Sequence, residues 1–277
     1  MALLAACGAA IAAEGPRSYV QIDNDVVFGT DRWYTSGVRI ARVEERGEHE
    51  IEWGLLQEIY TPEAKHFEPG TVDRAPAARL LLSLARHDAL PACLQTVEVA
   101  VGVRGPSAQG RRATEFVHRL IPAPEVDWSR EESDRLDAQV AAVRSQRSGD
   151  AVFHYGAVAG TERTFAHAGA EMQFGKRIAS GLLRFAATPP PAAGPQGWGA
   201  FAGLGARAVA RDRLLERGYG PDLPAPDRER VVGRFAAGVG TIQRWGSAIF
   251  SLALDSREFT GQRVPHAFGS LVVHVDF

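Results

Sequence analysis

The chain contains few cysteines and no long internal apolar run, and each shortage excludes a class of protein. Cys7 and Cys93 are the only cysteines among 277 residues, so a framework of several disulfides is excluded. No internal apolar stretch approaches the ~18 residues of a membrane-spanning helix, which excludes a helical membrane protein. A membrane β-barrel stays open, because its strands alternate apolar and polar residues and give a mean hydropathy near zero, here −0.14.

Neither sign of charge dominates, and one basic residue type is almost missing. The chain has 31 basic and 33 acidic residues and a net charge of −2, so no nucleic-acid partner is predicted. Lys65 and Lys176 are the only lysines. Each is therefore a candidate for a specific role, although both could be ordinary surface residues. The sequence has no His/Cys spacing suited to zinc and no Gly-x-Ser-x-Gly motif of an α/β-hydrolase.

The first residues resemble a secretion signal. Residues 1–14 are apolar, rich in small side chains, and contain an Ala-Ile-Ala-Ala stretch typical of a cleavage site. The basic segment that usually opens such a signal is missing, so we expect the natural start to be further upstream. The mature chain is expected to begin near Ala13 or Glu14, and residues 15–277 are predicted to form a single domain.

Most of that domain alternates between apolar and polar residues with a period of two, which is typical of strands with one face of each kind. Residues 94–104 are the clearest case, with Val97, Val99 and Val101 on one face. The predicted strands are 17–27, 34–45, 50–60, 77–88, 94–104, 135–146, 150–159, 164–176, 198–212, 229–242, 246–259 and 266–277. Residues 180–188 are left open.

Strand number, strand length and the chain end together predict the fold. An even number of long amphipathic strands is typical of a transmembrane barrel. The last strand alternates up to Phe277 and resembles the C-terminal recognition signal of bacterial outer-membrane proteins. We therefore predict an all-β protein, a twelve-stranded antiparallel β-barrel in the bacterial outer membrane.

One segment breaks the strand pattern and is predicted to carry short helices in a loop at the barrel rim. Residues 106–134 are too long for a hairpin turn, and helical spacing predicts a helix that Ser107 caps and Pro122 ends. A long structured loop is a place to look for function. Residues 187–197 and 214–229 are predicted to be further extracellular or rim loops.

Two places in the sequence could carry chemistry. His118, in the predicted helix, could be a helix-end residue or a general base, since an imidazole titrates near neutrality. Asn24 and Asp25 could form an ordinary Asx turn, or they could offer oxygen atoms to calcium or an oxyanion. A hairpin whose ends meet would bring Thr35 close to Asn24.

An ordered set of short segments carries a family resemblance. The segments are Asn24-Asp25, Asp31 to Gly37, Gln57 to Pro62, Asp73-Arg74, Gly105 to Ala108, His118-Arg119 and Trp128. In this order they resemble the outer-membrane lipid A deacylase family (LpxR type), which removes the 3′-linked acyloxyacyl chain from lipid A. The twelve-strand plan extends the likeness to the C-terminus.

The resemblance implies a site at the outer-leaflet rim of the barrel and a phospholipase-A2-like scheme. By position, His118 is the general base that activates water, and a calcium ion polarises the ester carbonyl. Asn24 and Asp25 match an Asn-Asp pair of the family site, with Asp25 as the expected metal ligand. Thr35 matches a site threonine, and Lys65 is the expected counterpart of a site lysine.

The chain departs from the family pattern at positions that surround His118. Thr114 stands where the family usually has Gln, one helical turn before the histidine, so it is the expected but shorter support. Pro124 stands where a Glu usually follows, and Glu125 comes one residue later. Residues 73–76 read Asp-Arg-Ala-Pro instead of the more usual Asp-Arg-Pro-Tyr.

These considerations lead to one preferred function and two alternatives. The preferred function is a calcium-dependent ester hydrolase whose substrate is lipid A or lipopolysaccharide, working as a monomer among membrane lipids. A phospholipase that cleaves glycerophospholipids is the first alternative. A non-catalytic barrel with a structural or binding role is the second.

Overall fold

The computed structural model describes residues 16–63, 72–120, 123, 125–178, 181–189, 195–216 and 225–276. These residues form one closed barrel of antiparallel strands, in which each strand pairs with its neighbours in sequence and the first pairs with the last. The strands are β1 (Arg17–Asn24), β2 (Trp33–Arg46), β3 (His49–Thr61), β4 (Ala77–Leu90), β5 (Cys93–Arg104), β6 (Arg135–Ser148), β7 (Ala151–Gly160), β8 (Arg163–Gly175), β9 (Gly197–Asp212), β10 (Val231–Gln243), β11 (Gly246–Asp255) and β12 (His266–Asp276). None of the helices in these segments is long and apolar enough to cross a membrane.

The twelve predicted strands are confirmed, because the alternating pattern sorts side chains onto the two faces of the wall. In β5, Val97, Val99 and Val101 are about half exposed on the outside, whereas Thr96 and Glu98 are buried inside. An outward apolar face and an inward polar face are what a lipid-embedded barrel requires. Closure also leaves no unpaired strand edge.

Ion pairs fill much of the barrel interior. Arg39 donates to Glu52 and Glu98, each at 2.5 Å, and the Tyr19 hydroxyl donates to Glu52 at 2.8 Å. These four side chains are almost fully buried. Buried charges persist only when opposite charges and hydrogen bonds compensate for lost hydration. The network therefore ties β1, β2, β3 and β5 together from within.

The first strand is shorter than the alternation predicts. Residues 17–27 were expected to be one strand, but β1 ends at Asn24 and residues Asp25–Phe28 form a 3-10 helix. The Asn24 side chain accepts a hydrogen bond of 2.7 Å from the Val26 amide, and Gly29 ends the turn with a left-handed backbone (φ 67°). Local Asx chemistry therefore stops the strand before its apolar residues do.

Residues 187–197, predicted to be an extracellular or rim loop, belong to the connection between β8 and β9, and residues 190–194 of it lie outside the described residues. Odd-numbered strands run toward one end of the barrel, and β8 runs toward the other, so this connection lies at the opposite end from residues 106–134. Its longest described segment, residues 181–189, contains a 3-10 helix (Leu182–Arg184) and no strand. Leu183 is fully buried against inward-facing residues, and Gly203 leaves it room, since a Cβ there would lie 2.6 Å from Leu183 Cδ1. We call residues 181–189 the plug.

Candidate functional site

The long loop after β5 places a helix, α1 (Gly110–Leu120), on the outer surface of the barrel. Arg79 of β4 points into the interior, so its neighbour Ala78 faces outward. Ala78 is nevertheless fully buried, because α1 and Trp128 cover it. A Cβ at Gly110 would lie 2.3 Å from Ala78 Cβ, so this contact requires a glycine.

Ser107 does not cap this helix, as the sequence pattern predicted. It lies in a separate 3-10 turn, Pro106–Ala108, and Gln109 adopts a left-handed backbone (φ 62°) before α1 begins. The Ser107 amide and hydroxyl donate instead to Asp134, at 2.8 and 2.6 Å. These bonds join the start of the loop to its end and hold α1 between them.

His118 lies on the side of α1 that faces the barrel, in line with Gly110 and Thr114 at a spacing of four residues. Its Nε2 atom lies 3.3 Å from Asp31 Oδ2. The two side chains are 14% and 18% exposed, so solvent reaches this pair only in part. The histidine predicted as a base therefore has a carboxylate partner from the turn before β2.

Thr35 joins the same cluster through Thr61. The hydroxyls of Thr35 and Thr61 share a hydrogen bond of 2.5 Å, and the Thr61 hydroxyl also donates to the Asp31 carbonyl at 3.4 Å. The pairing of β2 with β3 shifts by one residue between Tyr34 and Ser36, and this irregularity frees Thr35 from the regular ladder. Thr35, Thr61, Asp31 and His118 thus form a continuous chain of contacts.

Asn24 and Asp25 support the turn that carries Asp31. Asp25 is buried, and its Oδ2 accepts from the Thr30 hydroxyl at 3.0 Å and the Arg32 amide at 2.8 Å. Asn24 faces outward, since the preceding Asp23 bonds an interior tyrosine. Turn chemistry is thus confirmed for Asn24, whereas a catalytic role for either residue stays a prediction.

The oxygen atoms of this cluster suit a hard cation. Within the described ranges, no three His, Cys, Asp or Glu side chains form a group that could hold a metal ion. A calcium ion here would need amide, hydroxyl or carbonyl oxygens in addition to a carboxylate, and calcium accepts such mixed oxygen sets. Asn24, Asp25, Thr35 and Thr61 carry oxygen atoms of these types, so the donor types are compatible with calcium, and a calcium site stays a prediction.

The predicted supporting residues lie in different places. Thr114 is buried against the barrel, but in the part of the chain that the structure describes it makes no polar contact with His118. Asp31 provides that contact. Glu125 is exposed near Arg111, away from the described cluster contacts. Lys65 and Pro124 lie outside the described residues.

A carboxylate cluster surrounds the end of the α1 loop. Glu131 is half-buried, and burial raises its pKa to about 7, with nearby Asp134 adding to the rise and Arg104 opposing it. Hydrogen bonds from Ser107 lower the pKa of Asp134. Arg104 also pairs with Glu162 at 2.9 Å. Glu131 therefore keeps its proton to a higher pH than an exposed glutamate would.

Asp31 and Thr61 are cluster members that the sequence did not single out as site residues. Both stand in segments that carried the family resemblance, and Thr61 directly follows the predicted strand 50–60. The available signal was position, because each lies where a strand meets the loops at the α1 end. No residue pattern indicated that Asp31 would face His118.

Comparison with known proteins agrees with this architecture. LpxR from Salmonella typhimurium is 20% identical, with a TM-score of 0.73, and the match covers 94% of this chain and all of that one. The Pseudomonas putida toluene transporter TodX is 9% identical over 97% of this chain and 91% of its own, with a TM-score of only 0.44. No curated protein sequence matches the chain significantly. The family model described as "Outer membrane protein LpxR" matches residues 1–277, and the chain belongs to this family of outer-membrane barrels.

Proposed function

We propose that the protein is an outer-membrane ester hydrolase that removes the 3′-linked acyloxyacyl chain from lipid A. The observation that carries the proposal is the contact between His118 and Asp31 on the outer face of the barrel wall. A histidine–carboxylate pair is the usual means of activating a water molecule. Its place outside the wall makes it accessible to a lipid in the outer leaflet.

In this reaction His118 acts as the general base. The carboxylate of Asp31, 3.3 Å from Nε2, favours the tautomer with its proton on Nε2, which leaves the lone pair of Nδ1 to take a proton from water. The carboxylate then stabilises the imidazolium that forms. The protonated Nδ1 returns the proton to the departing alkoxide when the ester breaks.

The other cluster residues orient the ester and stabilise its developing negative charge. The hydroxyls of Thr35 and Thr61 and the amide of Asn24 are groups that can donate to an oxyanion. Asn24 and Asp25 are the residues proposed to hold calcium, which when bound supplies a positive charge to the carbonyl oxygen. Lys65 is proposed to bind an anionic group of the substrate.

The direct test is hydrolysis of purified lipid A by the refolded barrel. With calcium present, mass spectrometry should show loss of one 3-(acyloxy)acyl chain, and a chelator should stop the reaction. His118→Asn should reduce it to a slow residual rate, and Arg112→Gln on the exposed side of α1 is the matched control. Unchanged lipid A with the intact chain, across several divalent metals, would contradict the proposal.

The same outer-wall site could meet a glycerophospholipid, so phosphatidylethanolamine belongs in a parallel reaction. Release of fatty acid from that lipid but not from lipid A would establish the phospholipase alternative instead. Hydrolysis of neither lipid would favour the non-catalytic alternative. Analytical ultracentrifugation in detergent tests the expected monomer.

A further inference from the structure

Helix α1 has a charged side that faces away from the barrel. Arg111 and Glu115 form an ion pair of 2.7 Å along the helix, and both are well exposed. Arg112 and Arg119 are exposed on the same side. With 100° between successive residues, these four side chains cover one arc of the helix, and that arc is suited to water.

A different arc of α1 is apolar and equally exposed. Phe116 and Leu120 are 56% and 69% exposed. Ala113 lies on the same arc and packs against the buried cluster of Ala78, Ala108 and Trp128; Leu80 and Val103, outward residues of β4 and β5, pack against the same cluster. Leu80 and Val103 lie at the α1 end of the outer apolar face of the wall. This arc of α1 is therefore directed toward that face and continues it.

The 3-10 turn after β1 is a second exposed apolar element at the α1 end of the barrel. Val26, Val27 and Phe28 are each about half exposed. A Cβ at Gly269 would lie 2.8 Å from Val27 Cγ2, and Gly269 faces outward because its neighbour Phe268 is buried in the interior. The turn therefore lies over the outer surface of β12, where the wall meets lipid.

We propose that α1 and this turn are interfacial elements whose apolar residues contact the acyl chains of the outer leaflet. Three arguments favour a lipid surface as the occupant. The apolar arc continues the lipid-facing wall, the opposite arc is charged, and an amphipathic helix of this kind lies in the membrane interface. The apolar side of α1 is also too small for a stable second copy, since such interfaces bury at least about 1,000 Å².

Contact with the acyl chains gives α1 a second support, in addition to its packing through Gly110 on Ala78. The helix is held by the wall on one side and by lipid on another, and His118 lies on the side between wall and solvent. The proposal rests on the outer-membrane location of the barrel and not on hydrolysis. It can therefore hold whether or not the protein cleaves lipid A.

Spin labels on α1 test the proposal without any activity measurement. Nitroxides are attached to Phe116→Cys and to the control Arg112→Cys, with both native cysteines replaced by serine, and the proteins are refolded in phosphatidylcholine vesicles. Collision rates with oxygen and with a water-soluble nickel chelate report the depth of each label. The label at 116 should lie about 5–10 Å deeper than the polar surface of the bilayer, and the label at 112 should lie in water.

Two further labels make either outcome interpretable. Leu82→Cys, on the outward face of β4, gives the value for full lipid contact, and Leu120→Cys repeats the test if the variant at 116 does not fold. Equal nickel accessibility at 116 and 112 overturns the proposal. Strong spin–spin broadening at 116 also overturns it, because a second copy would then cover the apolar arc.

Discussion

The substitution Asp31→Asn tests the central contact of the candidate site with almost no change in shape. Asp31 Oδ2 lies 3.3 Å from His118 Nε2. At that separation two unit charges interact by roughly 5 kcal/mol at an effective dielectric constant of 20 and by roughly 1.3 kcal/mol in bulk water. The pair is only partly exposed, so the loss of imidazolium stabilisation should fall between these limits.

Each 1.36 kcal/mol corresponds to about a tenfold change in rate, so we expect kcat to fall on the order of 100-fold. KM should change little, because Asp31 acts through His118 and not on the substrate. The assay is the initial rate of lipid A deacylation in mixed micelles, followed by mass spectrometry. Heat-modifiable migration in gels confirms that the barrel is folded.

The double variant makes the reasoning refutable. If Asp31 acts only by orienting and stabilising His118, then His118→Ala with Asp31→Asn should be no slower than His118→Ala alone. Additive losses would mean that Asp31 has a separate role. If the folded Asp31→Asn variant reacts at a rate within about a factor of three of the original chain, the role of Asp31 in stabilising the His118 imidazolium is refuted.

Three further predictions concern the loop and the interior. Gly110→Ala should displace α1, because the added Cβ would lie 2.3 Å from Ala78 Cβ; we expect faster proteolysis of α1 and lower activity in a folded barrel. Burial raises the pKa of Glu131 from its ordinary value of 4.5 to about 7. Between these two pH values the folded loop keeps a proton that the unfolded loop has lost. The stability of the folded loop should therefore fall as pH rises from 4.5 to 7. After discounting for solvent this is about 1 kcal/mol, and Glu131→Gln should remove the pH dependence of the hydrogen-exchange protection factors of the loop amides in residues 125–134. Arg79→Met should leave the buried carboxylate of Asp137 without its arginine, whereas Glu58 keeps Arg163; the loss should cost about 3–5 kcal/mol in urea unfolding.

Matched variants separate these causes from general damage. At Gly233 the nearest atom to an added Cβ is 3.9 Å away, so Gly233→Ala should leave proteolysis of α1 unchanged. Arg42 pairs with Glu44 on the exposed surface at 3.1 Å, and Arg42→Met should cost less than about 1 kcal/mol. Proteolysis of α1 that is equally fast in both glycine variants would contradict the packing argument. If the protection factors still depend on pH in the Glu131→Gln variant, a group other than Glu131 causes that dependence.

The barrel could be predicted from the sequence because membrane strands have one physical requirement, repeated twelve times. Outward residues meet lipid and inward residues meet a polar interior, so alternation is visible at every strand, as in β5. The ends of the strands are less predictable, because side-chain hydrogen bonds to the local backbone compete there with strand pairing. Asn24 ends β1 through its bond to Val26, although Val26 to Phe28 would suit a strand equally well.

The candidate site could be predicted only in outline. The resemblance selected His118, Asn24, Asp25 and Thr35, and the structure places all of them at the α1 end of the barrel. The contact that links His118 to Asp31 depends on how α1 packs against the wall, and that in turn depends on Gly110 having no side chain. Such a relation between distant residues leaves no local pattern in the sequence.

The plug and the interior ion pairs have a consequence for the cell envelope. Arg184 of the plug is buried in the interior, where Arg39, Glu52 and Glu98 already occupy the space. A hydrated ion entering this interior would have to give up its water among fixed charges and packed side chains, which is costly. Among the residues that the structure describes, the interior therefore offers hydrated ions no easy path across the outer membrane.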